Sequence, residues 1–354
     1  MQKSRFSLPL LLLFMLALVA AGCGQTVPVK EALKAASQQQ TTLNSYSFSG
    51  TMALRIDSQS PELNNDPESK MVIDALKNTK ISYRGTTSLD PQQTEIILDA
   101  SIPMQDVSMN FTMPIVMNQE KLWVKIPALP MLPESNDLSG KYVEIDYKEL
   151  SQLSGQPINA STNTKAQREL ANKILDIFFK DMGDSYFADV KKEEAGLPQD
   201  VAAERVVKFQ LTNESVMPFI KTLLGSTLPQ IIDATAQSEV AKEMNMTAEE
   251  AAQAKTELQT ALKELETNQD LQKTVQVKKA DMLFALEKDN GISYQKTDVD
   301  LVITPPEETG SVNFGFTLDQ KINNKNAAPK WEIGIPKAEE VVKFMEAMGK
   351  MMAY

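Results

Sequence analysis

Asp106-Val-Ser-Met-Asn-Phe-Thr-Met-Pro-Ile-Val-Met117 is the stretch whose reading decides the fold. Val107, Met109, Phe111, Met113, Ile115 and Met117 take alternate positions, and Asp106, Ser108, Asn110 and Thr112 fill the gaps. A period of two sends successive side chains to opposite faces of a strand. One face here is greasy and the other wet, the pattern of an antiparallel sheet with one side covered.

The same period appears on both sides of this stretch. In Tyr46–Ile56 one face carries Tyr46, Phe48, Gly50, Met52, Leu54 and Ile56. Ile81, Tyr83, Gly85 and Leu89 share a face, as do Ile96, Leu98, Ala100 and Ile102. After a turn at Asn118-Gln119-Glu120 come Lys121–Ile126, a Pro-rich loop at 127–133, and Lys141–Tyr147. Strands separated by turns rather than by long helices predict an antiparallel meander.

Helical spacing interrupts it at Val29–Gln40 and over about Ala166–Met182, Pro67–Asn78 reads as a short helix or an irregular excursion, and Ser151–Thr164 is a polar loop. Beyond a strand at Arg205–Leu211, Val216, Phe219, Ile220, Leu223 and Leu224 form one apolar stripe of a helix over Asn213–Leu224. Leu228–Glu266 reads as an inserted helical hairpin whose second part opens on the capping box Thr247-Ala-Glu-Glu250. Strands resume at Val275–Lys279, Asp281–Glu287, Ile292–Ile303 and Ser311–Leu318, with hairpin chemistry at Asp289-Asn-Gly291. A last helix is predicted from Pro336 to about Met352. The fold class that follows is α+β: a curved antiparallel sheet of about ten strands with helices packed on its concave face. The apolar side of such a sheet exceeds what strand contact can cover, so helices must line it, and any gap between the layers is apolar.

The chain opens differently. Lys3 and Arg5 precede the apolar run Leu8–Ala21, which ends in small residues before Cys23. A charged start, a short apolar core and a small-residue exit make a secretory signal peptide. Fourteen apolar residues are too few to span roughly 30 Å of hydrocarbon comfortably. Ala20-Ala21-Gly22-Cys23 resembles the lipobox of bacterial lipoproteins. That resemblance implies cleavage before Cys23 and a diacylglyceryl group on its thiol. Residues 1–22 are then the signal, 23–30 the lipidated end and a short tether, and 31–354 a single domain with its insertion at about 228–266.

Composition narrows the chemistry. The formal charge is −11, and loss of Lys3 and Arg5 with the signal takes it to −13, which disfavours nucleic acid and anionic membrane surfaces as partners. The chain has no histidine, and its one cysteine is Cys23. Histidine-dependent nucleophilic catalysis is therefore excluded, and the commonest zinc ligand is missing. The oxygens of Asn64, Asn65, Asp66 and Glu68 match no calcium loop. Glu249/Glu250 and Glu307/Glu308 lie in polar surroundings, and no phosphate-cradling glycine loop is present. The reading is non-enzymatic, with neither cofactor nor metal. Eighteen methionines include Met52, Met109, Met113, Met117, Met345, Met348, Met351 and Met352 on apolar faces. They fit either an ordinary core or a deformable cavity for acyl chains.

Leu43-Asn-Ser-Tyr-Ser-Phe-Ser-Gly-Thr-Met52, Lys121-Leu-Trp-Val-Lys-Ile-Pro127, Gly140-Lys-Tyr-Val-Glu-Ile-Asp146 and Ile333-Gly-Ile-Pro336 before a terminal helix carry a further resemblance. Together with the lipobox they resemble the extracytoplasmic lipoproteins of the LolA-like and LppX/LprG-like superfamily, Gram-positive members included. The resemblance implies a curved half-barrel, a hydrophobic cavity under plugging helices, and carriage of lipids or lipoproteins. The expected site is a wall of Val107, Met109, Phe111, Met113 and Met117, faced by Phe219 and Leu223 of a covering helix. The expected place is the extracytoplasmic face of the cell membrane, held by lipid on Cys23. A rival reading is a structural envelope lipoprotein with a packed core and a protein partner on the helical insertion.

Overall fold

The computed structural model describes residues 27–59, 65–104, 107–128, 138–154, 164–243, 245–268, 274–304 and 310–352. The expected signal segment, residues 1–22, and Cys23 lie outside them. Among the described residues twelve strands form one unclosed, curved sheet in the order β12-β6-β5-β4-β3-β2-β1-β11-β10-β9-β8-β7. They are β1 (Ser45–Ser58), β2 (Lys80–Leu89), β3 (Gln92–Met104), β4 (Val107–Asn118), β5 (Lys121–Lys125), β6 (Tyr142–Asp146), β7 (Phe187–Asp189), β8 (Arg205–Leu211), β9 (Val275–Leu286), β10 (Ile292–Ile303), β11 (Val312–Asn323) and β12 (Val341–Lys343). All pairings are antiparallel except β12 beside β6, which is parallel.

The count corrects the expected ten. β7 and β12 are three residues each, too short to show a period. The last predicted helix also changes: Val341–Lys343 becomes β12, and the helix itself is Phe344–Met352. A parallel strand needs a crossover. The chain supplies one by carrying residues 324–340 from β11 past β1, β2, β3, β4 and β5 to the outer side of β6.

The helices are α1 (Val29–Gln40), α2 (Pro67–Asn78), α3 (Tyr147–Ser154), α4 (Thr164–Asp181), α5 (Asn213–Thr222), α6 (Leu228–Ala236), α7 (Glu239–Glu243), α8 (Ala248–Thr267) and α9 (Phe344–Met352). α3 was not expected; it turns the chain directly out of β6. α5 and α6 are joined by a π turn, Leu223–Thr227. Asp181 at the end of α4 holds that turn: its carboxylate accepts from Ser226 Oγ at 2.9 Å, Thr227 Oγ1 at 3.0 Å and Gln230 Nε2 at 2.9 Å. The predicted capping box of α8 is present, with Thr247 and Glu250 bonded reciprocally.

α1 and α4, with Met182 just after α4, bury Ala32, Leu33, Ala36, Phe179 and Met182 against Phe187, Val207, Phe209, Leu286, Ile292 and Ile322 of the sheet. Each large side chain buried there contributes about 1.5–3 kcal/mol. This core sits over β7–β10 and the end of β11. A smaller core of Leu138, Val143, Val342 and Ala347 joins α9 to β6 and β12 at the far edge.

Strand register defines two faces. Phe48 is opposite Ile322, so the face bearing Tyr46, Phe48, Met52 and Leu54 is the one on which the helices lie. β2 begins at Lys80, whereas β1 runs to Ser58 and β3 to Met104. α2 packs on β1 and β3 where β2 has stopped. On the opposite face the 324–340 crossing covers Glu95, which is 1 % exposed, and brings Val341 against Val116, Trp123 and Tyr142.

A candidate ligand-binding face

Cross-strand pairs build the face row by row. Met52 pairs with Ile81 and Leu318, Ile81 with Ala100, and Ala100 with Phe111. Tyr83 pairs with Leu98, and Leu98 with Met113. Leu54 pairs with Phe316 and that with Val299, while Ile56 pairs with Phe314 and that with Leu301. Paired residues share a face, so these side chains make one apolar surface running from β4 through β1 to β10.

Its covering is incomplete. None of these side chains is buried; all are intermediate in exposure, in contrast to Ile322, Leu286 and Val207 nearer the helices. A contiguous run of partly covered apolar side chains offers further burial to whatever apolar group is laid on it. A hollow of about 710 Å³ lies against the middle of β1–β4, with Met52, Ile81, Ala100 and Phe111 among its lining residues. The rest of the lining, Thr51, Ser82, Asp99 and Thr112 in one row and Ala53, Lys80, Ser101 and Asn110 in another, alternates with these residues and carries its side chains on the opposite, polar face.

Two aromatic rings set the shape of the surface, because they lie over glycines. A Cβ on Gly50 would run into the Asp319 carbonyl and stand 2.8 Å from Tyr83 Oη; one on Gly85 would stand 2.6 Å from the Phe48 ring. Tyr83 thus reaches across β1 and donates from Oη to the Asp319 carbonyl at 2.8 Å. Phe48 lies between Tyr46 and Tyr83, with centroid separations of 6.1 and 6.2 Å. Burial pushes the Tyr83 phenol up to about 12, and the Asp319 charge adds to it. Gln295 donates from Nε2 to Gln320 Oε1 at 2.7 Å, a polar patch on the same face.

Met109, Phe111, Met113 and Met117 stand on this face of β4, all half-buried. Val107 has its backbone in β4 opposite Met104, and its side chain is outside the described residues. Phe219 and Leu223 are elsewhere. They pack on the core over β8, with Phe219 5.8 Å from Tyr186 and 5.7 Å from Phe209 between ring centroids. Six strands stand between β8 and β4 in the sheet order. The structure therefore joins the β4 residues not to that helix but to Met52, Leu54, Phe314 and Phe316. The alternation of β11 was visible in the sequence; its pairing with β1, which adds it to the surface, was not.

Among the described residues no group of three or more acidic, histidine or cysteine side chains could hold a metal ion, and no helix is long and apolar enough to cross a membrane. The best-placed buried carboxylate, Glu95, is occupied by the backbone N–H groups of Glu332, Ile333 and Gly334 at 2.8, 2.7 and 2.8 Å. No protein-family model matches the chain, and no characterised protein matches it in sequence.

Proposed function

We propose that this chain is a lipid-anchored protein of the extracytoplasmic face of the cell membrane, without catalytic activity, that binds the alkyl part of an amphiphile. The observation that carries the reading is the half-covered apolar surface over β1–β4, β10 and β11. Covering a Phe, Leu or Met side chain is worth about 1.5–3 kcal/mol, so an alkyl chain laid along several of them binds without needing a specific polar contact. In this reading the sheet is a half-barrel whose concave side holds the helices at one end and the ligand beyond them. The resemblance to LolA-like lipoproteins points the same way, by analogy of fold. The lipobox-like Ala20–Cys23 supplies the anchor, since two acyl chains hold a soluble domain where one does so marginally.

Cys23→Ser tests both halves. The variant is expected to leave the membrane fraction and, as a soluble protein, to take up a fluorescent fatty acid. Introducing Phe111→Asp into it should reduce that uptake at least tenfold, since a charge placed in an apolar contact costs more than about 1.4 kcal/mol. Retention of the Cys23→Ser protein in the membrane refutes the anchor. Uptake unchanged by Phe111→Asp refutes the site.

A further inference from the structure

Among the described residues, the edge of β4 before Ile115 is unpaired. β5 pairs with β4 only at Ile115, Val116 and Met117, so from Val107 to Pro114 β4 has β3 on one side and no strand on the other among the described residues. The ladder to β3 runs unbroken through Pro114, opposite Ile97, so the position that lacks an N–H faces away from β3. Alternation then aims the N–H and C=O groups of Ser108, Asn110 and Thr112 outward as well.

Open edges are normally guarded, because they template pairing with another chain. The others in this sheet are. β7 and β12 are three residues long. The stretch of β9 beyond β8 carries Lys278 and Lys279, and its Val277 N–H is taken by Asn213 Oδ1 at 3.3 Å. The end of β1 beyond β2 is occupied by α2. β4 from Ser108 to Met113 has no lysine, no proline, no bulge and no charge, in a chain of net charge −11.

We infer that this edge pairs with the same edge of a second copy of the chain, antiparallel about a two-fold axis at Asn110. The sequence is complementary to itself in that register. Asn110 meets Asn110 of the second copy, and Ser108 meets Thr112. On the apolar face Met109 meets Phe111, a sulfur–aromatic pair. Pro114, with no N–H to give, ends the pairing on each side just before β5. The uncharged strand lets two acidic bodies meet without like charges in contact, and the two-fold closes the assembly. The inference stands independently of amphiphile binding.

The test is Asn110→Cys in the full chain. Paired residues about 5.5 Å apart at Cα lie within disulfide reach. Mild oxidation is expected to give a covalent dimer from Asn110→Cys, and none from the wild-type chain or from Ser101→Cys on β3. Thr112→Pro removes an outward donor without touching the β3 ladder, as Pro114 already does. It is expected to abolish the dimer seen by analytical ultracentrifugation while the thermal transition stays in place. A wild-type protein that remains monomeric at the highest attainable concentration overturns the inference, as does an Asn110→Cys chain that cross-links no better than Ser101→Cys. Either result holds whether or not some other extended peptide occupies the edge.

Discussion

Tyr83 shows how single residues set this surface. Its ring crosses Gly50, its hydroxyl is bonded to Asp319, and both facts depend on β1 having no side chain at that point. The Tyr83 and Tyr294 phenols are each pushed up to about 12, chiefly by burial and secondarily by Asp319. The sign follows from linkage. A phenol whose folded value is raised contributes stability that is whole below its unfolded value near 10 and is lost as pH rises toward 12. Of the seven tyrosines, these two are expected to ionise last in a phenolate absorbance titration of the folded protein. Stability measured by denaturant should fall between pH 10 and pH 12, less steeply in Tyr83→Phe. A folded protein in which all phenols ionise together near pH 10 would contradict the packing described.

Among the elements, the 324–340 crossing has the simplest physics. It leaves β11, is pinned by Asn326 N–H donating to the Ser45 carbonyl at 2.7 Å, and ends with Lys141 Nζ donating to the Glu339 carbonyl at 2.8 Å. Midway, three consecutive N–H groups converge on Glu95. Charge-assisted bonds are roughly twice as strong as neutral ones, and orphaning buried donors costs their desolvation. Glu95→Gln presents an amide NH₂ where an acceptor is needed. It should cost about 2–4 kcal/mol in chemical denaturation; a loss below about half a kcal/mol would mean the clasp does not hold the crossing. None of this was legible in the sequence. Glu95 reads there as one more polar residue on a wet strand face, and its donors lie more than two hundred positions away. Period two gave most of β1–β4 and the face of each residue, because burial on one side imposes it. It could not give β7 and β12, which are too short, nor show that Phe219 and Leu223 would be spent on the core over β8 rather than on the surface of β4.

The whole molecule is an acidic body with packed cores toward both ends of its sheet and an incompletely covered apolar surface between them. Hydrophobic burial is the dominant favourable term in folding, so a chain that leaves Met52, Leu54, Phe111, Phe314 and Phe316 half-exposed forgoes stability it could have had. An amphiphile restores it. Native mass spectrometry of the Cys23→Ser protein, purified from cells without detergent, reads this most directly. The account predicts adduct masses of copurified amphiphile, removed by organic extraction and absent from the same protein carrying Phe111→Asp. A clean apo mass before extraction, with no adduct after incubation with a fatty acid, would contradict it.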